Sequence, residues 1–181
     1  MSEIMTYTRT MFDPVRPEAD KVNIVDIAHA LSLLCRANGH IPSFYSVAQH
    51  CINCMKEARA RGYSERLQLA CLLHDASEAY LSDVTRPVKK ELPKYLEIEK
   101  PLQDAIWNKY LPKPLTEEEY DRVFEIDDAV LYHEFAALMD ARLTDDEPVL
   151  YSVPEFDFTG FERCEREFLR LFRRLTSKEK D

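Results

Sequence analysis

Only three glycines occur in the 181 residues of this chain, and two of them, Gly39 and Gly62, stand where a helical apolar period stops. Sheet-rich folds use glycine in turns and bulges. Helices tolerate it poorly inside and favour it just past their ends. The scarcity of glycine therefore predicts an all-α chain. The apolar spacing agrees. Ile24, Ile27, Ala28, Leu31 and Leu34 share one face of a helix predicted over about residues 23–38, closed by Gly39. A second helix is predicted from Ser43, after Pro42, to Gly62. A third starts at Ser64, a good N-cap, and carries Leu67, Cys71 and Leu72 inward toward His74.

A loop is expected over about residues 81–86, after which Pro87 can open a further turn. A fourth helix is expected over about 93–111, with Pro101 as a break or kink. Thr116 and Glu119 form a capping box for a long helix reaching about Ala141. "TGFE" at Thr159 reads as a second capping box, ahead of the apolar stripe Phe161, Cys164, Phe168, Leu171 and Leu175. Residues 1–22, with Pro14 and Pro17, read as an extended arm. No linker divides the chain, so residues 1–181 form one domain with a C-terminal helix over about 159–178.

A net charge of −9 argues against a general binder of nucleic acid or of anionic membranes. No run of 18 apolar residues suggests a membrane span, and the N-terminus lacks the apolar core of a signal peptide. Five cysteines, an odd number, fit a reduced, cytoplasmic chain. Cys51 and Cys54 form one CxxC with no second pair to complete a zinc site. They lie one helical turn apart on an apolar face and read as buried small side chains.

The stretch "LLHDASEAYLSDVTRPVKK", residues 72–90, passes from an apolar helix to His74, Asp75, Glu78 and Asp83 within ten residues. Buried ionisable groups need partners. Read as one helix, it puts His74 and Glu78 on a common face, with Asp75 and Glu78 as neighbours. Imidazole with carboxylate suits a divalent ion of intermediate hardness. Further ligands must come from facing helices. His50, on the apolar stripe with Val47, Cys51 and Cys54, is one candidate. In "VFEIDDAVLYHEF", Asp127 and Asp128 both border the buried face, and periodicity does not choose between them. His29 beside the first stripe and His133 on the last long helix read as structural, and His40 near Arg36 as a candidate substrate contact.

The ordered set "VAQH", "LLHDASEAYLSDVTRPVK" and "EIDDAVLYHE", over about residues 24–142, resembles the HD-domain metal-dependent phosphohydrolases. The similarity is greatest to the bacterial 5′-deoxynucleotidase branch, with compact phage deoxynucleoside triphosphohydrolases next. The resemblance implies a helical bundle with the metal site between helices, and ligands His50, His74, Asp75 and Asp127, choosing Asp127 over Asp128. It implies Glu78 as the catalytic carboxylate, Asp83 as the second acidic residue, and Arg36 as a phosphate contact. Alanine follows Arg36 where that branch often carries tryptophan. Lys89 reads as a second phosphate contact or as an exposed helix-start lysine.

The cofactor expected is a divalent metal, among Co, Mn, Zn, Mg, Fe and Ni. The activity expected is removal of the 5′-phosphate of (deoxy)nucleoside monophosphates, with triphosphate release from deoxynucleoside triphosphates or a weakly active nucleotide-binding module as alternatives. The partner expected is a nucleotide, without nucleic acid or membrane, and a homo-oligomer is allowed.

Overall fold

The computed structural model describes residues 3–177. The predicted all-α class holds: eight α-helices, two short 3-10 turns (Ala19–Lys21 and Arg36–Gly39) and one short hairpin make up the regular structure of the described residues. The helices are α1 (Ile24–Leu33), α2 (Val47–Ala60), α3 (Glu65–Leu72), α4 (Glu78–Leu81), α5 (Arg86–Lys90), α6 (Pro93–Tyr110), α7 (Glu117–Met139) and α8 (Phe161–Thr176). Helix α2 is the central post. Eleven of its residues, Val47 through Met55 with Glu57 and Ala58, are buried, and it packs against α1, α3, α7 and α8. A helix surrounded on every side buries polar residues as well as apolar ones, so Gln49, His50, Asn53 and Glu57 must find partners inside.

The N-terminal segment is not an extended arm. Strands β1 (Ile4–Met5) and β2 (Met11–Phe12) pair antiparallel, Ile4 opposite Phe12. The hairpin tip is clamped to α1 through Asp26, which accepts from the Thr8 backbone N–H at 2.6 Å and from its hydroxyl at 2.9 Å. Phe12 is fully buried and stacks on Tyr80 at 4.4 Å. The prolines that suggested a free arm lie after the hairpin.

Helix α1 ends at Leu33, five residues before the expected stop. Cys35 leaves it to pair with Ser46 as an isolated bridge, with Arg36 N–H donating to Tyr45 O and Val47 N–H to Leu34 O. Ala37, Asn38 and Gly39 then take positive φ values of 51°, 52° and 76°, a region that costs a residue with a Cβ. The apolar character of Leu34 and Ala37 prolongs the helical period in the sequence, whereas the chain uses them to turn Arg36 inward. Helix α2 accordingly starts at Val47, capped by Ser46 through Gln49 N–H, and not near Ser43.

The Thr116–Glu119 capping box forms reciprocally, at 2.9 and 3.2 Å. The box expected at Thr159 does not: the N-cap of α8 is Gly160, without a side-chain cap bond. Helix α6 continues through Pro101, so the expected break is absent. The final residue of the predicted C-terminal helix, 178, lies outside the described residues, as do residues 1 and 2 of the predicted arm. No described helix is long and apolar enough to cross a membrane.

Candidate metal and substrate site

Helix α3 stops at Leu72, two residues before the histidine that the sequence places within it. From there to α4 the backbone follows tight i−3 hydrogen bonds: Ala76 to Leu73, Glu78 to Asp75, Ala79 to Ala76 and Tyr80 to Ser77. Near three residues per turn, side chains three apart eclipse. Glu78 therefore follows Asp75, and the expected His74–Glu78 helix face is replaced by an Asp75–Glu78 line. Gln103 of α6 staples this turn, accepting from Ser77 N–H at 3.0 Å and donating to Leu73 O at 2.7 Å. Nothing in the local pattern of "PLQDAIW" singled Gln103 out.

His50 on α2, His74 on the turn and Asp127 on α7 converge. His50 Nε2 lies 3.2 Å from His74 Nε2 and 2.9 Å from Asp127 Oδ1. Asp75 Oδ2 approaches from the other side, 3.3 Å from His74 Nε2 and 3.8 Å from His50 Nε2. The partners of the opposite ring nitrogens fix the tautomers. His74 Nδ1 lies 2.8 Å from the carbonyl of Cys71, which can only accept. His50 Nδ1 lies 2.6 Å from Glu134 Oε1. Both Nδ1 atoms donate, so in the neutral rings both Nε2 lone pairs point into the same space as two carboxylates. That is the donor set of a divalent cation, with imidazoles oriented from behind as metal ligands are. These four residues fit a metal.

Asp127 rather than Asp128 faces the centre, as the resemblance implies. Asp127 is buried, while Asp128 is exposed and pairs with Arg86. Burial opposes charge on both histidines. For His74 the Asp75 and Asp127 carboxylates outweigh it and push the imidazole well above its ordinary range. For Asp127 burial is outweighed in turn by hydrogen bonds from His50 and His74, which hold it well below the usual carboxylate range.

Cys54 shares this neighbourhood, its Sγ falling with donors of His50, His74 and Asp127 inside a 4.8 Å group. It sits 3.5 Å from His50 Nε2 and 4.0 Å from Nδ1, nearly equidistant. It therefore lies beside the ring and off the line of the Nε2 lone pair. Burial, then repulsion from Asp127, pushes its thiol well up. Cys51 is buried too, and its Sγ groups in the same way with donors of His74 and Asp75, so both cysteines, read from the sequence as small core side chains, border the candidate site.

The cluster opens into a cavity of about 1110 Å³ lined by residues of α5, α6 and α7 together with Arg36, Ile41 and the turn. All four remaining candidates line it. Glu78 is 4% exposed, and its Oε2 has no hydrogen-bond partner among the described residues. Burial first, then Asp75 and Asp83, push its carboxyl well above its usual range. Asp83 is raised less, again chiefly by burial. It follows Ser82, which holds φ 78° and ψ 154°, a strained conformation of the kind found at functional sites. Arg36 donates to Asp75 at 3.1 Å and to Glu134 at 3.5 Å.

Lys89 is not an exposed helix-start lysine. It is near the end of α5 and reaches Glu99 at 2.6 Å and Glu78 at 3.5 Å. Arg86, one turn earlier, donates to Asp127 Oδ2 at 2.5 Å. His40 is exposed and is not part of the cavity wall. His29 bonds Glu165 and stacks on Tyr7, and His133 bonds Pro148 O, both structural as expected.

The residues that sequence reasoning missed stand behind the ligands. Glu134 takes His50 Nδ1 and, at 2.7 Å, the hydroxyl of Tyr45, to which Asn53 donates in turn. The i+7 offset from Asp127 was the available signal, since it returns Glu134 to the same face of α7 two turns on.

Among curated proteins, the chain is 37% identical over 110 residues to YfdR, an uncharacterized protein of Escherichia coli K12, covering 61% of this chain and 59% of that one. It is 38% identical over 114 residues to an uncharacterized protein of Rhodobacter capsulatus, covering 57% and 58%. The chain thus spans less than two thirds of the length of either relative. No protein-family model matches it.

Proposed function

We propose that this protein is a metal-dependent phosphohydrolase that removes the 5′-phosphate of (deoxy)nucleoside monophosphates. The observation that carries the reading is the pair of Nε2 atoms 3.2 Å apart, both unprotonated when neutral, beside two carboxylates that line a large cavity. His50, His74, Asp75 and Asp127 would hold the ion. Bound there, a divalent metal supplies polarisation of the phosphoryl oxygen and a water of lowered pKa.

The protein's own groups account for the rest. Glu78, kept protonated by burial and by the neighbouring carboxylates, donates its proton to the departing sugar oxygen. Asp83, at the same wall, accepts from and orients the attacking water. Arg36, Arg86 and Lys89 are held in place by Asp75, Asp127 and Glu99 respectively. They neutralise the charge that develops on the phosphoryl oxygens, the two arginines by a planar fork.

Charge favours a monophosphate. Six carboxylates besides the protonated Glu78 line the cavity with four cationic side chains, Arg36, Arg86, Lys89 and Lys100. Each of those cations is already paired, Lys100 with Asp104. One dianion with one metal suits this balance, whereas a triphosphate needs a cluster of free cations. The test is release of product from nucleoside mono- and triphosphates, ribo and deoxyribo, with Mn²⁺, Co²⁺, Zn²⁺, Mg²⁺, Fe²⁺ and Ni²⁺ in turn. Orthophosphate from monophosphates is expected. Inorganic triphosphate as the product would replace this reading by the triphosphohydrolase one, and binding without turnover would replace it by a nucleotide-binding module.

A further inference from the structure

The ionic cluster occupies only the middle of the cavity. At one end, where α6 runs into α7, its wall is aromatic: Trp107, Tyr120 and Phe124. Their rings form a continuous series, Trp107 to Tyr120 at 5.0 Å edge to face and Tyr120 to Phe124 at 5.3 Å. Phe124 is 47% exposed, although it belongs to a helix with a well-buried face. Trp107 is 4% exposed, and its Nε1, a buried donor, has no hydrogen-bond partner among the described residues. A core does not leave such a donor unmatched without cost.

The spacing from the reacting end is the same on both helices. On α6, Trp107 lies four residues beyond Gln103, which fixes the His74–Asp75 turn. On α7, Phe124 lies three residues before Asp127. Each aromatic is therefore about one helical turn, roughly 5 Å along the axis, from a residue that builds the metal site. That is the separation a single sugar imposes between a phosphate and a base.

We propose that this aromatic compartment is the base subsite. It takes a planar, uncharged heterocycle stacked on Phe124 and Tyr120, next to the Trp107 ring. An aliphatic group would fill the same space without the face-to-face stacking these rings offer. The opposite end of the cavity, with Leu96, Met139 and Leu143, carries a single ring, Phe135, and no aromatic series among the described residues, and is not the base site. The proposal deepens the nucleotidase reading and rests on it for the identity of the ring. It concerns binding, so its first test needs neither metal nor turnover.

Trp107 is the only tryptophan in the chain, so intrinsic fluorescence reports on this compartment. The metal-free protein is titrated with 2′-deoxyadenosine, with octyl phosphate and with inorganic phosphate. Saturable quenching by 2′-deoxyadenosine is expected, with no change on adding inorganic phosphate. Phe124→Ala, at a half-exposed position that tolerates truncation, should weaken the nucleoside about 10-fold, the effect of losing one stacking platform. Met139→Ala, at the other end, should leave it unchanged.

No response to the nucleoside, a wild-type response in Phe124→Ala, tighter binding of octyl phosphate than of nucleoside, or loss in Met139→Ala would each overturn the assignment. Nucleotide hydrolysis with unaltered KM in Phe124→Ala would overturn it while leaving the phosphohydrolase reading standing. Nucleoside binding in a protein that hydrolyses no nucleotide would do the reverse.

Discussion

Glu134 Oε1 lies 2.6 Å from His50 Nδ1, with the carboxylate 3% exposed and the imidazole fully buried. The carboxylate thus sets both the tautomer and the tilt of a candidate ligand from behind. Glu134→Gln still offers an oxygen to Nδ1 but removes the charge. Such partners are worth about 10- to 100-fold in metal affinity, so the variant should fold and bind metal about 10-fold more weakly. Competition with a chromogenic chelator measures this, and wild-type affinity would show that His50 is not tuned through Glu134.

The two adjacent aspartates of α7 should behave oppositely. Asp127→Ala is expected to lose most bound metal, as are His50→Ala, His74→Ala and Asp75→Ala. Asp128→Ala should retain it, because Asp128 is exposed and pairs with Arg86 instead of the histidines. Metal content after dialysis decides between them, and the opposite pattern would mean that α7 is rotated from the orientation described.

Glu78→Gln keeps the shape of the side chain and removes its proton. Turnover should fall by about 10² or more, the scale of a positioned proton donor, with metal content unchanged. The pH profile gives a second reading. A donor must be protonated, and burial with Asp75 and Asp83 raises this carboxyl, so activity should decline as pH rises through the elevated pKa. That alkaline limb should be absent in the variant. A limb that persists belongs to another group.

Glu57 is fully buried on α2 and fastens the segment before α8. It accepts from Arg61 Nε at 2.8 Å, from the backbone of Tyr151 and Ser152, and from the Ser152 hydroxyl at 2.7 Å. Burial tends to raise its pKa, but Arg61 and Ser152 together with the backbone donors lower it below the ordinary 4.5. A depressed folded-state pKa means the stabilisation is complete above about 4.5 and is lost as pH falls through the lower value. Glu57→Gln should cost about 3 kcal/mol near neutral pH by denaturant titration, since it weakens several charge-assisted bonds. The difference from wild type should shrink below pH 4, and a constant difference would mean that the charge is not what holds the segment.

The helical class, the Thr116 box and four of the five stripe positions of α8 were readable from local pattern, because period and capping act over one or two turns; the fifth, Phe161, is exposed, and Phe172 is buried instead. The ordered His50, His74-Asp75 and Asp127 set was readable for a different reason, as a spaced signature that resembles a known family. Periodicity alone left Asp127 and Asp128 equal, because both border the same apolar face. Only the packing of α7 against α2 buries one and exposes the other.

Local pattern misplaced what tertiary contacts impose. Leu34 and Ala37 continue a helical period that the Cys35–Ser46 bridge interrupts, and a turn stapled by Gln103, 26 residues from Ser77 in the chain, breaks α3 before His74. Tyr45, in the loop before α2, and Trp107 carry no local mark of their roles, since a phenol and an indole look the same whether they end in core, solvent or cavity, and Glu134 is marked only by its i+7 offset from Asp127. What lies opposite each of them is set by how the helices cross. The sequence alone determines the helices and the order of the chemical groups along them, and the tertiary structure decides which of those groups meet.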